Sequence, residues 1–468
     1  MDWDDFAQNA KLAADWGADY HKTIRDRPVR AQVKPGDTLN ALPSEPPETP
    51  EAMEAIFADF ERIVMPGITH WQHPRFFAYF NANAAPASVL AEMLAAIIAP
   101  QCMLWQTSPS ATEMETRMME WLRHGLGLPK VYQGVIQDSA SSATLAAVLT
   151  MRERALDWEG NIDGLTGQHP LRIYCSEEVH SSVDRAIWVS GIGQNNLVKI
   201  RTTGDLRHMD PIDLQTAINE DRAAGLIPAG IIAATGATGM GACDDLEAVA
   251  AVAEKEHLYT HLDAAWAGSA MICPEFRPLW VGAERFDSIV FNPHKWLGAQ
   301  FDCAVHFLRE PDLLRQTLAI RPEYLRTHAE DGVTDYSEWS IPLGRRFRAL
   351  KLWFLMRAYG MEALRDRIRN HVGWSQDLCE RLRAEDDFEI VTEPILSLWT
   401  FRRRGHDDAQ TQAFVDAINA DGRIYLTQTM VDEQKVVRFQ AGQFDCAKED
   451  FELAYETITE IARGLIAG

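Results

Sequence analysis

Apolar residues recur at helical spacing over residues 3–24, where Phe6, Leu12, Ala13, Trp16 and Tyr20 share one side and predict an amphipathic helix. Prolines at 28, 35, 43, 46, 47 and 50 then exclude a regular helix and predict an extended connector. A second helix is expected over 51–64, ending at Pro66 and Gly67, an apolar one over 85–99, and a third over 112–125. The stripe of Met114, Met118, Met119, Trp121 and Leu122 on the last reads as core. From residue 133 the pattern changes to short apolar runs separated by helical stretches. Strands are predicted at 134–137, 171–175, 197–200, 230–234, 258–262, 288–291 and 304–308, with a helix over 143–156. After about 345 a long helix (346–359) is followed by helices over 361–384, 408–420 and 448–467, with short strands at 389–391, 396–401 and 436–439.

This order predicts an α/β chain with a mainly parallel central sheet flanked by helices, followed by a small α+β C-terminal domain. The expected boundaries are 1–84, 85–350 and 351–468. Residues 1–84 carry apolar faces but no strands, so they need a surface to wrap, on this chain or on another subunit. Right-handed crossovers place the carboxyl ends of the parallel strands along one edge, where open α/β sheets bind ligands. Gln137, His180, Thr235, Asp263 and Lys295 all fall at or just past such ends.

Composition narrows the function classes. The 468 residues carry a formal charge of −23, which argues against nucleic acid or an anionic membrane as partner. The most apolar stretch, 82–100, is interrupted by Asn83, Pro86, Ser88 and Glu92 and does not suit a membrane span. Seven scattered cysteines without a CxxC pair fit reduced thiols in a cytoplasmic setting and argue against a zinc site. The acidic N-terminus, with no apolar core, shows no signal peptide.

A lysine (Lys295) and an acid (Asp263) at the ends of two nearby strands are what pyridoxal phosphate chemistry requires. The lysine binds the cofactor's aldehyde and the acid keeps its pyridine nitrogen protonated. Solvated turn residues are the competing reading of that pair. The run Asp138-Ser139-Ala140-Ser141-Ser142 joins a strand to a helix, and such an N-terminus with hydroxyls can hold a phosphate, or the serine can simply cap the helix. His180, on a loop after a strand, could stack on a cofactor ring and relay a proton, or be an ordinary surface histidine.

The blocks His261-Leu262-Asp263-Ala264-Ala265-Trp266 and Phe291-Asn292-Pro293-His294-Lys295-Trp296 resemble the signature motifs of group II pyridoxal-phosphate-dependent decarboxylases, in particular the aromatic L-amino-acid branch. Further blocks at 65–71, 76–80, 134–144, 272–277 and 341–348 resemble the same family, in order, over nearly the whole chain. The resemblance implies the type I, aspartate-aminotransferase-like fold, pyridoxal 5'-phosphate as cofactor, and a homodimer with active sites at the subunit interface and the N-terminal segment, 1–84, wrapped on the other subunit. It also implies roles. Lys295 would carry the cofactor, Asp263 pair with its ring nitrogen and His180 stack on the ring. Ala140, Ser141 and Asn292 would bind phosphate, with His294 beside the lysine and Thr238 and Ala265 beside the ring. Tyr324 would protonate the product carbon from a loop. Trp71, Tyr79, Phe80, Ala82, Gln101, Met103 and Gly344 would line the substrate pocket. Because His180 and Tyr324 are both kept, simple decarboxylation is expected rather than aldehyde synthesis. The aromatic cluster, and the absence of an extra pocket arginine, speak against a glutamate or cysteine-sulfinate substrate. Asn81 and Ala82, and the polar run Gln101-Cys102-Met103, depart from the animal pattern and leave tryptophan, phenylalanine, tyrosine and DOPA open, the first two ranked marginally ahead.

Overall fold

The computed structural model describes residues 1–320 and 332–466, so the expected loop tyrosine, Tyr324, lies outside the described residues. Two compact units emerge. One comprises 82–373 with 392–399, and the other 1–81, 374–391 and 400–468.

The first unit is built on a seven-stranded sheet. Its strands are β1 (Gln133–Gln137), β2 (Leu171–Ser176), β3 (Leu197–Ile200), β6 (Ile227–Ala234), β7 (Tyr259–Asp263), β8 (Ser288–Phe291) and β9 (Ala304–Leu308). A small antiparallel hairpin, β4 (Thr202–Thr203) with β5 (His208–Met209), stands apart. The order across the sheet is β1-β9-β8-β7-β6-β2-β3. Pairings from β3 through β8 are parallel, whereas β9 runs antiparallel to both its neighbours. All residues of β7 and β8 are buried, as central strands of a parallel sheet covered on both faces are, even though β7 carries Thr260, His261 and Asp263. Ala234, Asp263 and Val290 lie level in adjacent strands. The strand read at 258–262 therefore sits one residue further on and takes in Asp263 itself.

The second unit folds the N-terminal segment onto C-terminal residues of its own chain. Phe77 stacks on Phe439 at 4.6 Å, its N–H bonds the Tyr425 carbonyl, and Gln440 N–H bonds the Phe77 carbonyl. Arg25 reaches both carboxylate oxygens of Asp450, at 3.1 and 2.8 Å. A four-stranded sheet, ordered β10-β11-β13-β12, comprises β10 (Phe388–Ile395), β11 (Leu398–Arg403), β12 (Thr427–Val431) and β13 (Gln434–Gln440). The hydropathy pattern did not mark β12, whose first four residues alternate between part-buried and exposed before buried Val431. Nor did it separate the helices Pro211–Ala223 and Leu246–Glu256 that cover the large sheet. The helices read at 346–359 and 361–384 form one run, Ala349–Arg383, interrupted only at Gly360, whose φ of 72° and ψ of 158° break the helical path. The helix expected over 51–64 is α-helical over Met53–Asp59 and then widens into a π-type turn, Phe60–Val64. No helix among the described residues is long and apolar enough to cross a membrane.

Candidate active site

Four stretches converge at the carboxyl edge of the large sheet. The first is the turn after β8. Its backbone closes through Lys295 N–H to the Asn292 carbonyl at 2.9 Å, and Lys295 itself departs from helical geometry at φ −86°, ψ −109°. The turn is pinned from several sides. Asn83 Nδ2 donates to the Lys295 carbonyl at 2.6 Å and Asn83 N–H to the His294 carbonyl at 2.8 Å. Arg367 Nη2 donates to the Trp296 and Leu297 carbonyls at 2.6 and 2.8 Å. Trp296 stacks on Trp266 with centroids 4.9 Å apart, and its Nε1–H donates to His371 Nδ1 at 3.0 Å. Lys295 is half-buried on this fixed turn.

The second stretch is the end of β7. Asp263 is buried, its Oδ1 accepts the Ala265 N–H at 3.0 Å, and the Ala265 carbonyl accepts Asn292 N–H at 2.9 Å. The acid and the lysine turn are thus joined through one intervening backbone unit. Such a buried carboxylate needs a donor or a cation to stay charged.

The third is the N-terminus of the helix Ala140–Ala155. Ser139 caps it, its Oγ accepting Ser142 N–H at 3.2 Å. The N–H groups of Ala140 and Ser141 have no acceptor within the helix, as in any first turn, and the dipole there favours an anion. Ala140 and Ala143 pack with Ala265 and Val290, which sets this helix end beside the other two stretches.

His180 is the fourth. Its Nδ1 accepts Ser182 N–H at 3.1 Å and lies 2.9 Å from Ser182 Oγ. A nitrogen that accepts a backbone N–H carries no proton, so the neutral ring keeps its proton on Nε2. Burial around the ring pushes its pKa below the usual histidine value, the Asp263 charge opposes this, and Lys295 and Arg185 add to it. His180 as a residue is nevertheless exposed. Val179 packs with Ala234, Ala237 and Ala242, bringing this loop against the turn that carries half-buried Thr238. That turn begins at Gly236, at φ +77°, where a Cβ would stand 2.6 Å from the Ala267 Cβ.

These residues suit a pyridine aldehyde bearing a phosphate: an amine for the aldehyde carbon, an acid for the ring nitrogen, and a helix N-terminus for the anion. A further sign of a polar ligand is that Thr235 Oγ1 and Asn292 Oδ1, at strand ends on either side of Asp263, are buried with no hydrogen-bond partner among the described residues. His294, buried, accepts Cys303 N–H on Nδ1 at 2.8 Å. Burial, with Lys295 next to it, holds its pKa down to about 3. Gln137 is used otherwise, its Nε2 donating to the Trp339 carbonyl at 2.8 Å.

The expected pocket residues fall into two groups. Trp71, Tyr79 and Phe80 belong to the second unit. There Trp71 stacks on buried Phe76 at 4.6 Å and on Tyr79 at 5.8 Å, Trp71 and Tyr79 remaining exposed, while Phe80 is buried with Arg438 over its ring at 4.8 Å. Ala82, Gln101, Met103 and Gly344 belong to the first unit. Gln101 and Gly344 line a cavity of about 330 Å³ together with Glu92, Arg345 and Arg346. Half-buried Met103 lends its carbonyl to Ser337 N–H at 3.0 Å. Sequence reasoning did not find Asn83, Arg367 or Ser182. Each works through a backbone group far from it in sequence or through a loop bond, and no motif marks it.

Comparison with known proteins agrees with this geometry. Residues 35–404 match the pyridoxal-dependent decarboxylase conserved domain. The chain is 38% identical to the aromatic-L-amino-acid decarboxylase of Rattus norvegicus, over 100% of this chain and 99% of that protein. It is 36% identical to the phenylacetaldehyde synthase of Arabidopsis thaliana, over 100% and 97%. The crystal structure of Oryza sativa TDC with PLP and tryptamine superposes with a TM-score of 0.95 at 34% identity, covering 99% of both chains. The type I fold and the cofactor expected from the motifs are thereby shown. With most of its length matched by the family model and all of it by such relatives, the chain belongs to the pyridoxal-dependent decarboxylases, which use pyridoxal 5'-phosphate to release a carboxylate as CO2.

Proposed function

We propose that this enzyme converts an aromatic L-amino acid (tryptophan, phenylalanine, tyrosine or DOPA) to the aryl-alkylamine and CO2, working as a homodimer in the cytoplasm. The observation that carries the reading is the pinned Lys295 turn joined to Asp263 through Ala265. The names of relatives that match the whole chain support the aromatic substrate class.

When bound, pyridoxal phosphate supplies a protonated ring that takes up the electron pair left as CO2 departs. The chain's own residues do the rest. Lys295 would hold the aldehyde carbon and release it to the substrate amine. Asp263 would hold a proton at the ring nitrogen, and its burial would strengthen that ion pair. Neutral His180 would face the ring and offer Nε2–H without adding charge. Ala140, Ser141 and Asn292 would secure the phosphate, and Thr238, Ala265 and His294 would bound the ring. Tyr324, from outside the described residues, or His180 returns a proton to the substrate carbon.

For the dimer, the support is the helix Pro86–Ile98. Val89, Leu90, Met93, Leu94, Ile97 and Ile98 are all exposed on it, an apolar face that a second copy would cover. Sedimentation should give twice the 52.6 kDa chain mass; a monomer at micromolar concentration would remove this part of the reading.

The kinship with an aldehyde synthase favours one second reading, decarboxylation coupled to oxidative deamination. One assay separates the two. The enzyme loaded with pyridoxal phosphate is given each aromatic L-amino acid, and amine, aldehyde, ammonia and peroxide are measured. Amine with CO2 alone supports the proposal, aldehyde with ammonia and peroxide supports the second reading, and turnover of glutamate instead of any aromatic substrate defeats both.

A further inference from the structure

His261 stands two residues before Asp263 on β7, so both side chains project from the same face of the strand. It is fully buried, yet it does not merely fill space. Its Nδ1 lies 2.7 Å from Ser288 Oγ, at the start of β8, and its Nε2 lies 3.4 Å from Thr144 Oγ1, on the helix Ala140–Ala155. Thr144 comes one helical turn after Ala140 and therefore lies beneath the end assigned to the phosphate. Ser288 opens the strand that leads into Asn292 and Lys295. One imidazole thus bonds the three elements that carry the acid, the lysine turn and the phosphate site.

We propose that His261 is a positioning residue for the cofactor, a neutral crosslink that fixes the spacing among its ring-nitrogen, aldehyde and phosphate holds. This rests on the assignment of Asp263, Lys295 and Ala140–Ser141 as those holds. His306 makes the contrast that rules out simple packing. It is equally buried on β9, its ring edge-on to His261 with centroids 5.7 Å apart, but neither of its nitrogens has a hydrogen-bond partner among the described residues. The bonds of His261 therefore do not follow from being a histidine in this core. Either tautomer satisfies both, because Ser288 and Thr144 hydroxyls each donate or accept. Neutrality also matters. A cation at 261 would stand about 7 Å from 263 along the strand and compete for the charge that Asp263 lends to the ring nitrogen. Burial keeps the His261 pKa well below the ordinary value, with His306 adding to the effect.

The test uses His261→Phe, His261→Asn and His261→Gln, with the double variant Thr144→Val/Ser288→Ala, which keeps the ring and removes its partners. Pyridoxal phosphate affinity is measured by equilibrium dialysis, and the visible band of the loaded protein is followed as a function of pH. His261→Phe and the double variant should each weaken cofactor binding about tenfold and shift the band's pH midpoint. Asn keeps an atom toward Ser288 and Gln one toward Thr144, so each should recover part of the affinity. Unchanged affinity and midpoint in the double variant would overturn the proposal, even if His261→Phe fails to fold. So would equal losses in all three His261 variants with no recovery. If wild-type protein binds no pyridoxal phosphate, or Lys295→Ala binds it as wild type does, the assignment of the holds has failed instead.

Discussion

The Lys295 turn and the rim of the Gln101–Gly344 cavity sit in the same unit but are built in opposite ways. Around Lys295, successive carbonyls are each claimed by a side chain, Asn83 taking one and Arg367 two, and a stacked tryptophan pair closes the turn. At the rim the side-chain amide of exposed Gln101 is fixed by one bond, Oε1 accepting Arg345 N–H at 2.7 Å, beside a residue with no side chain. The backbone donor dictates the amide's orientation, so Nε2 faces Gly344, where a Cβ would stand 3.3 Å away. The Lys295 turn is over-determined, and the cavity rim is set by single contacts. Substitutions should therefore destroy the first and retune the second.

The largest expected effect is at Lys295. Lys295→Ala should cost at least about a thousandfold in kcat and abolish the visible cofactor band; retained colour and turnover would break the contrast at its strong end. Asn83→Ala comes next. It removes one of the ties on the turn, and kcat should fall roughly tenfold, with smaller change in KM, because a small displacement of the reacting group is enough. A rise in KM alone, with kcat unchanged, would mean that the tie serves binding. Gly344→Val is a rim substitution. It should push the Gln101 amide aside and alter the ratio of kcat/KM for tryptophan against phenylalanine by roughly tenfold, while the better substrate keeps its kcat. A uniform loss across substrates would show that the rim is as rigid as the turn.

The smallest effect is on stability. His306 is held by burial down to about 3, whereas an unfolded histidine takes up a proton near 6.5. Between those values the unfolded chain binds more protons, so this contribution is full above about 6.5 and is lost as pH falls toward 3. His306→Leu removes that slope and the unpaired nitrogens, and should stabilise the protein by about 1–2 kcal/mol. Urea melts at pH 5 and pH 7.5 measure both. A variant less stable at both values would show that the ring's packing outweighs its unmet polarity.

Much of the candidate site's placement could be read from residues because strand ends are local. The apolar runs before His261 and Asn292 place Asp263 and Lys295 at one sheet edge, and Ser139 announces a helix start. The supporting shell was not legible. Arg367 is 71 positions from Trp296, and Asn83 is 212 from Lys295, with nothing in either neighbourhood to point at the other. The antiparallel placement of β9 was equally hidden, since a buried strand reads the same in either direction. Residues 1–81 showed that they needed a surface. Only the fold shows that C-terminal residues such as Tyr425, Phe439 and Asp450 supply one within the chain. The setting of the Gln101 amide was equally unread, since its partner, Arg345 N–H, lies 244 positions away.

The non-helical backbone at Lys295 has a consequence for endurance. In its proposed role Lys295 yields its place to every substrate and must find it again after every product. Here the main chain on both sides is anchored, so only the side chain's own bonds have to rotate. The search is confined to a few rotamers and excludes loop refolding, which is how a catalyst returns to its starting state at the end of each cycle.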